Sequence, residues 1–335
     1  MRGTGIFIGC LIGGLAVLFS PAWADSCPGN PDAIGTSRTI TVEPSEFPRI
    51  GIMQYHGSLP LNDHEVVITF DDGPLPPFTN AILDTLASEC VKATYFLVGR
   101  MATAYPDAVR RIYNAGHTIG THSQNHPLSF DRMALPRIEH EVGDGIASVQ
   151  AAAGDAHAVA PFFRVPGLLR SSQVESYLAS QSLAVWSADE VADDWHRHIT
   201  PQQIVRKAMS RIEAKDHRGV LLLHDIHPAT VMALPMLLKE LKAQGYKIVQ
   251  AIPGGERPSS VPENANPVVA DGGAWPRVLK TSLKSAGKAI KVAGAHKRNH
   301  LVHREREQER DMTASIKSKK IKNKSAEQDL GFSSF

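Results

Sequence analysis

Apolar residues between about Arg49 and Ile252 follow two rhythms. Short continuous runs rich in β-branched and aromatic side chains, "EVVITF", "ATYFLVG", "HTIGT", "APFFRV", "LAVWS", "GVLLLH" and "YKIVQAI", predict buried strands. Between them, "TNAILDTLASEC", "PDAVRRIYNAG", "LPRIEHEVGDGIASVQAAAG", "QVESYLAS", "PQQIVRKAMSRIEAK" and "LPMLLKELKAQG" carry the wider spacing of amphipathic helices. Regular alternation of the two predicts βαβ units around a parallel sheet. Some seven repeats fit either a barrel or an open doubly wound sheet. No self-similarity of the kind that builds a solenoid is present.

In both architectures ligands bind at the carboxyl ends of the strands, so the residues that follow each apolar run matter most. Asp71 and Asp72 follow "VVITF", His122 and His126 follow "HTIG", and Arg164 closes "PFFR". Asp189 and Asp194 come after "LAVWS", and His224 and Asp225 after "GVLLL". An Asp-Gly-Pro turn alone would explain an aspartate bonded to its own backbone. Five strand ends delivering acids, histidines and an arginine to one rim point instead to a site.

His122 and His126 have the His-x-x-x-His spacing that lets two imidazoles reach one cation if the backbone turns helically there. Two histidines and one aspartate would leave coordination positions open for water and substrate, the arrangement of a catalytic metal site. Adjacent aspartates near a strand end point in different directions, so one can bind metal while its neighbour acts as a base.

In order along the chain, "TFDDGP", "HSQNH", "RVPG", "DDW" and "LLLHD" resemble the five motifs of the polysaccharide deacetylase family, carbohydrate esterase family four, which includes chitooligosaccharide deacetylase (nodulation protein B). The likeness runs from about Glu65 to Val249. It implies an α/β fold, an irregular barrel of seven or eight β/α units. It also implies Asp71 as general base, Asp72, His122 and His126 as metal ligands, Arg164 as the ion-pair partner of the base, and His224 as general acid. Asp194 would support His224, with Asp193 the neighbouring alternative in a stretched fourth motif, and Trp195 and Leu222 would line a pocket for the acetyl methyl. Where the family carries an aromatic after Arg-x-Pro this chain has Gly167, whose backbone N–H is left to serve an oxyanion. The implied cofactor is a divalent metal, Zn2+ or alternatively Co2+. The implied reaction removes N-acetyl groups from an N-acetylglucosamine polymer, peptidoglycan or chitin-like. An O-acetyl esterase and a non-catalytic glycan-binding module are the alternatives.

The flanks add an address. Arg2, the apolar run Ile6 to Phe19 and the Ala22-x-Ala24 pattern predict a signal peptide over 1–24, since the run falls short of the ~20 residues a spanning helix needs. Export permits a disulfide between Cys27 and Cys90, although two distant cysteines do not by themselves argue for one. The expected layout continues with an N-terminal segment 25–46, a catalytic domain 47–253, a Pro/Gly-rich linker 254–276 and a basic low-order tail 277–335. The formal charge of +2 hides an asymmetry: from Arg277 onward 15 Lys and Arg face 6 Asp and Glu, leaving 21 against 28 before it. Such a tail reads as a solvated extension or as a tether to an anionic envelope surface, and export makes nucleic acid an unexpected partner.

Overall fold

A computed structural model describes residues 27–254. The signal peptide, the basic tail and all but the first residue of the linker lie outside the described residues. Ten strands, β1 (Thr36–Val42), β2 (Arg49–Ile50), β3 (Glu65–Asp71), β4 (Thr94–Leu97), β5 (Thr118–Thr121), β6 (Phe162–Arg164), β7 (Ala184–Trp186), β8 (Glu190–Val191), β9 (Gly219–His224) and β10 (Lys247–Pro253), form one sheet. Every pairing in it is parallel. The helices are α1 (Phe78–Ser88), α2 (Gly99–Ala104), α3 (Pro106–Asn114), α4 (Leu135–Ala153), α5 (Ser172–Ser180), α6 (Pro201–Glu213) and α7 (Pro228–Ala243).

The strands run β8-β9-β3-β4-β5-β6-β7-β2, with β10 and β1 branching from the lower part of β3. Ser187, Ala188 and Asp189 alone connect β7 to β8, which lie near opposite ends of that path. At ~3.5 Å per residue so short a link keeps the two ends together, so the sheet must roll up. Local signals start the helices: Thr200 and Gln203 form a reciprocal capping box ahead of Pro201 in α6, and the Ser171 hydroxyl caps α5.

The boundary expected at residue 47 falls inside this folded unit. β1 pairs with β10 from Thr36 to Val42, and Cys27 and Cys90 form a disulfide.

Alternation of side chains divides the core in two. Val66, Ile68, Phe70, Tyr95, Leu97, Phe163, Leu221 and Leu223 pack outward against the helices. Their neighbours Val67, Phe96, Phe162, Ala184, Trp186 and Val220 form a second cluster on the inner face. The rings of Phe96 and Phe162 lie 5.5 and 5.1 Å from that of Trp186, and all three residues are buried. They make an apolar floor across the inside of the rolled sheet.

Candidate active site

The alternation that builds the floor also places the polar groups above it. On β3 and β9, Asp71 stands opposite His224 and Thr69 opposite Leu222. These four positions continue the inner-face rows begun by Val67 and Val220, and Arg164 sits two residues beyond Phe162 on β6.

Arg164 is fully buried, and its guanidinium lies 4.2 Å above the centre of the Phe96 ring. It donates to Asp71 Oδ1 at 2.7 Å, to Thr69 Oγ1 at 2.8 Å and to the Ser187 carbonyl at 2.7 Å. A buried charge is tolerated only with such partners. The Asp71 carboxylate is thereby fixed, with Oδ2 at 3.8 Å from His122 Nε2.

His122 Nδ1 lies 2.6 Å from the Arg164 carbonyl. A carbonyl only accepts, so the proton sits on Nδ1 and Nε2 keeps its lone pair. Burial pushes this imidazole down to about 4, and it is neutral at physiological pH. The Nε2 atoms of His122 and His126 approach Asp72 Oδ1 to 3.4 and 3.1 Å. The ligand atoms of all three residues lie within 4.8 Å of one another. Asp72 Oδ1 is buried yet accepts no hydrogen bond. Burial opposes charge on Asp72, but His126, His224 and His122 outweigh it and hold the carboxyl well below its usual range. One ionised oxygen and two imidazole nitrogens converging in this way fit a divalent ion that takes nitrogen and oxygen ligands.

The backbone route to this set differs from expectation. His122 to His126 do not form a helical turn. Ser123 and His126 adopt left-handed conformations with φ of 67° and 56°, and Asp72 has φ of 75°. The Ser123 hydroxyl accepts from the His126 amide at 2.9 Å, which closes the loop. Non-glycine residues in this region carry strain of order 1–3 kcal/mol each, so surrounding contacts must impose it.

Across the same mouth, His224 Nδ1 lies 2.8 Å from Asp194 Oδ1, while Asp194 Oδ2 accepts from the His224 amide and the Thr230 hydroxyl, each at 2.7 Å. Burial works against a charged imidazole, but Asp194 foremost, then Asp72 and Asp71, lift His224 to about 10. It therefore carries two protons at neutral pH, with Nε2 4.0 Å from Asp72 Oδ2. Asp193 turns the other way, with φ of 55°, to Lys207 at 2.6 Å and Arg211 at 2.8 Å. Of the two neighbours, Asp194 is the one that meets His224.

The rings of Trp195 and His224 meet in a T-shaped pair with centroids 5.4 Å apart, and Leu222 is buried two residues before His224 in the β9 row. Gly167 lies in a short turn, Pro166–Leu168, with φ of 59°. A side chain there would be strained, and a Cβ would come 3.3 Å from Leu128, two residues past His126. Asp189, by contrast, is spent on structure: it accepts from Ile52 N, Ser58 Oγ and Val220 N.

Glu141 is marked by no strand end and no motif. From α4 it accepts from the Asn125 amide at 2.8 Å and from its side chain at 2.9 Å, bracing the loop between the two histidines. A signal was available, because Ile138, Glu141, Val142 and Gly145 occupy successive places in one buried stripe, and a carboxylate there needs partners.

A family model for polysaccharide deacetylase matches residues 59–186. Peptidoglycan-N-acetylmuramic acid deacetylase PdaC of Bacillus subtilis is 30% identical over 190 residues, 56% of this chain but only 38% of that protein. A peptidoglycan-N-acetylglucosamine deacetylase of Bacillus cereus is 31% identical over 196 residues, 57% of this chain and 88% of its own length. Among solved structures, Bdellovibrio bacteriovorus peptidoglycan deacetylase Bd3279 superposes with a TM-score of 0.57 at 28% identity, covering 65% of this chain and 59% of that one. Nearly a third of the residues are shared along most of the Bacillus cereus protein, and the chain belongs to the polysaccharide deacetylase family.

Proposed function

We propose that this chain is a metal-dependent hydrolase that removes N-acetyl groups from an N-acetylglucosamine-containing glycan of the peptidoglycan type, releasing acetate. One observation carries the reading. An Arg-held carboxylate and a proton-bearing imidazole stand 3.8 and 4.0 Å from members of a single Asp-His-His donor set. The names of the relatives, which specify both N-acetylglucosamine and N-acetylmuramic acid of peptidoglycan, support that substrate class. The Cys27–Cys90 disulfide supports an exported address.

Asp72, His122 and His126 would hold a divalent ion, zinc or cobalt, which when bound would supply Lewis acidity to the acetamide carbonyl and the attacking water. Asp71, oriented by Arg164, takes a proton from that water as it adds to the carbonyl carbon. Negative charge then gathers on the former carbonyl oxygen, where the Gly167 amide donates. His224 gives its Nε2 proton to the sugar nitrogen as the carbon–nitrogen bond breaks, because an unprotonated amine is a poor leaving group. Asp194 stabilises the charged imidazole until that step, and Trp195 and Leu222 enclose the acetyl methyl.

The test is acetate release from peptidoglycan, chitin oligosaccharides and acetylated xylan, before and after chelation and with Zn2+ or Co2+ restored. The expected result is release from the N-acetylated glycans, loss on chelation and recovery with metal. Release from acetylated xylan alone would replace the reading with an O-acetyl esterase. Glycan binding without acetate from any substrate, with metal bound, would leave a binding module.

A further inference from the structure

The segment that carries Asp72 leaves β3 at Asp71 and rejoins regular structure at Phe78. Two side chains outside the chemistry described above hold it, Thr79 and Asp225, and both are fully buried. Thr79 Oγ1 accepts from the Leu75 amide at 2.7 Å and lies 2.6 Å from Asp225 Oδ2. A hydroxyl has one proton, and here the carboxylate receives it, so the bonds run in one direction from Leu75 through Thr79 to Asp225. The Asp225 amide is bonded to the Asp71 carbonyl at 3.4 Å. Its carboxylate also lies against the Gly73 backbone so closely that a Cβ on Gly73 would collide with both oxygens. From the other side, the Val98 amide donates to the Gly73 carbonyl at 3.0 Å.

Asp71, Gly73 and Leu75 are thus all tied to neighbouring elements, while Asp72 between them takes the left-handed conformation with φ of 75°. That conformation has to be imposed from outside. Asp225 Oδ1 is buried without a hydrogen bond, a standing cost that an apolar residue would avoid. The cost is offset if the carboxylate is needed where it is. We propose that Thr79 and Asp225 are positioning residues that set the Asp72 carboxylate against His122 and His126. They would couple the cation site to the strand end that bears His224.

The inference rests on the reading of Asp72, His122 and His126 as a cation site, and its test separates the two. Co2+ binding to the metal-stripped full-length protein is followed by visible absorption against a competing chelator. Wild type is compared with Thr79→Val, Thr79→Ser and Asp225→Asn. Thr79→Val and Asp225→Asn should weaken Co2+ binding ~10–100-fold, and Thr79→Ser, which keeps the hydroxyl, should bind within a few-fold of wild type. Thermal unfolding of each metal-free protein establishes which variants are folded. A folded Thr79→Val or Asp225→Asn protein that binds Co2+ like wild type overturns the positioning role. Equal weakening by Thr79→Ser would overturn it too, since the hydroxyl would then not be the cause. Wild type that binds no Co2+ at all would instead overturn the cation site.

Discussion

Asp71–Asp72 and Asp193–Asp194 are both adjacent pairs of aspartates beyond a buried run, and they are divided in different ways. In the first pair both carboxylates face the mouth, one held by Arg164 and the other among imidazoles. In the second, Asp194 turns inward to His224 while Asp193 turns outward to Lys207 and Arg211 on α6. The left-handed residue is the second of the first pair and the first of the other. A carboxylate's work is therefore decided by backbone hand and by the cation it meets, not by the residue type.

The largest effect should come from the first pair. Asp71→Asn keeps the shape but cannot take a proton, and turnover should fall ~100- to 10,000-fold while metal stays bound. Asp72→Asn should lose the metal. Metal analysis of both variants checks the division, and metal lost from Asp71→Asn but kept by Asp72→Asn would reverse it.

A smaller effect is expected in the second pair from Asp194→Asn, which removes the main support for a charged His224. The alkaline limb of the turnover profile should move to lower pH, and activity near neutrality should drop by up to ~100-fold. Stability should change in the same window. Because His224 titrates at about 10 in the fold, above an ordinary value near 6.5, the pair's contribution is complete below ~6.5 and is lost as pH climbs through about 10. Thermal unfolding across that range should slope less in the variant than in wild type. Identical slopes and an unmoved limb would mean that Asp194 does not set the imidazole's charge.

The smallest effect belongs to Asp193→Asn. Burial opposes charge on Asp193, but Arg211 and Lys207 lower it to about 2. The sign is opposite to that of His224: its stabilisation is present above ~3.8 and is lost as pH falls through about 2. Both cations are partly exposed, so the loss near neutrality should be ~1 kcal/mol or less. Turnover and its pH profile should not move, and a variant as impaired as Asp194→Asn would erase the distinction between the neighbours.

Much of this arrangement was legible in the sequence, for identifiable reasons. All seven apolar runs became strands because a parallel strand covered on both faces leaves a continuous hydrophobic record. β2 and β8, with two residues each, leave none, and β1 reads "TSRTITV", too polar for that rule because only one end of it is buried. The choice between barrel and open sheet depended on how few residues join β7 to β8, which matters only once the strand order is known. Strand ends and motif order point to Asp71, Asp72, His122, His126, Arg164 and His224, and the fold brings these residues to one mouth. The left-handed turns at Asp72, Ser123 and His126 were not legible, because non-glycine residues give no local sign of that conformation. Nor could spacing choose between Asp193 and Asp194, since the choice is made by cations on α6 that are 14 and 18 residues away.

The floor of Phe96, Phe162 and Trp186 makes the rolled sheet a cup instead of a tunnel. Whatever enters must leave by the rim it came in through. If the substrate is the glycan proposed above, the polymer would lie across the opening and lower one substituent at a time, with no path for threading past the reacting groups. On that reading its free ends would be irrelevant to engagement, and any position along the strand would be open to modification. Small leaving products would likewise share the rim with the next incoming group, so departure and reloading would compete for the same mouth.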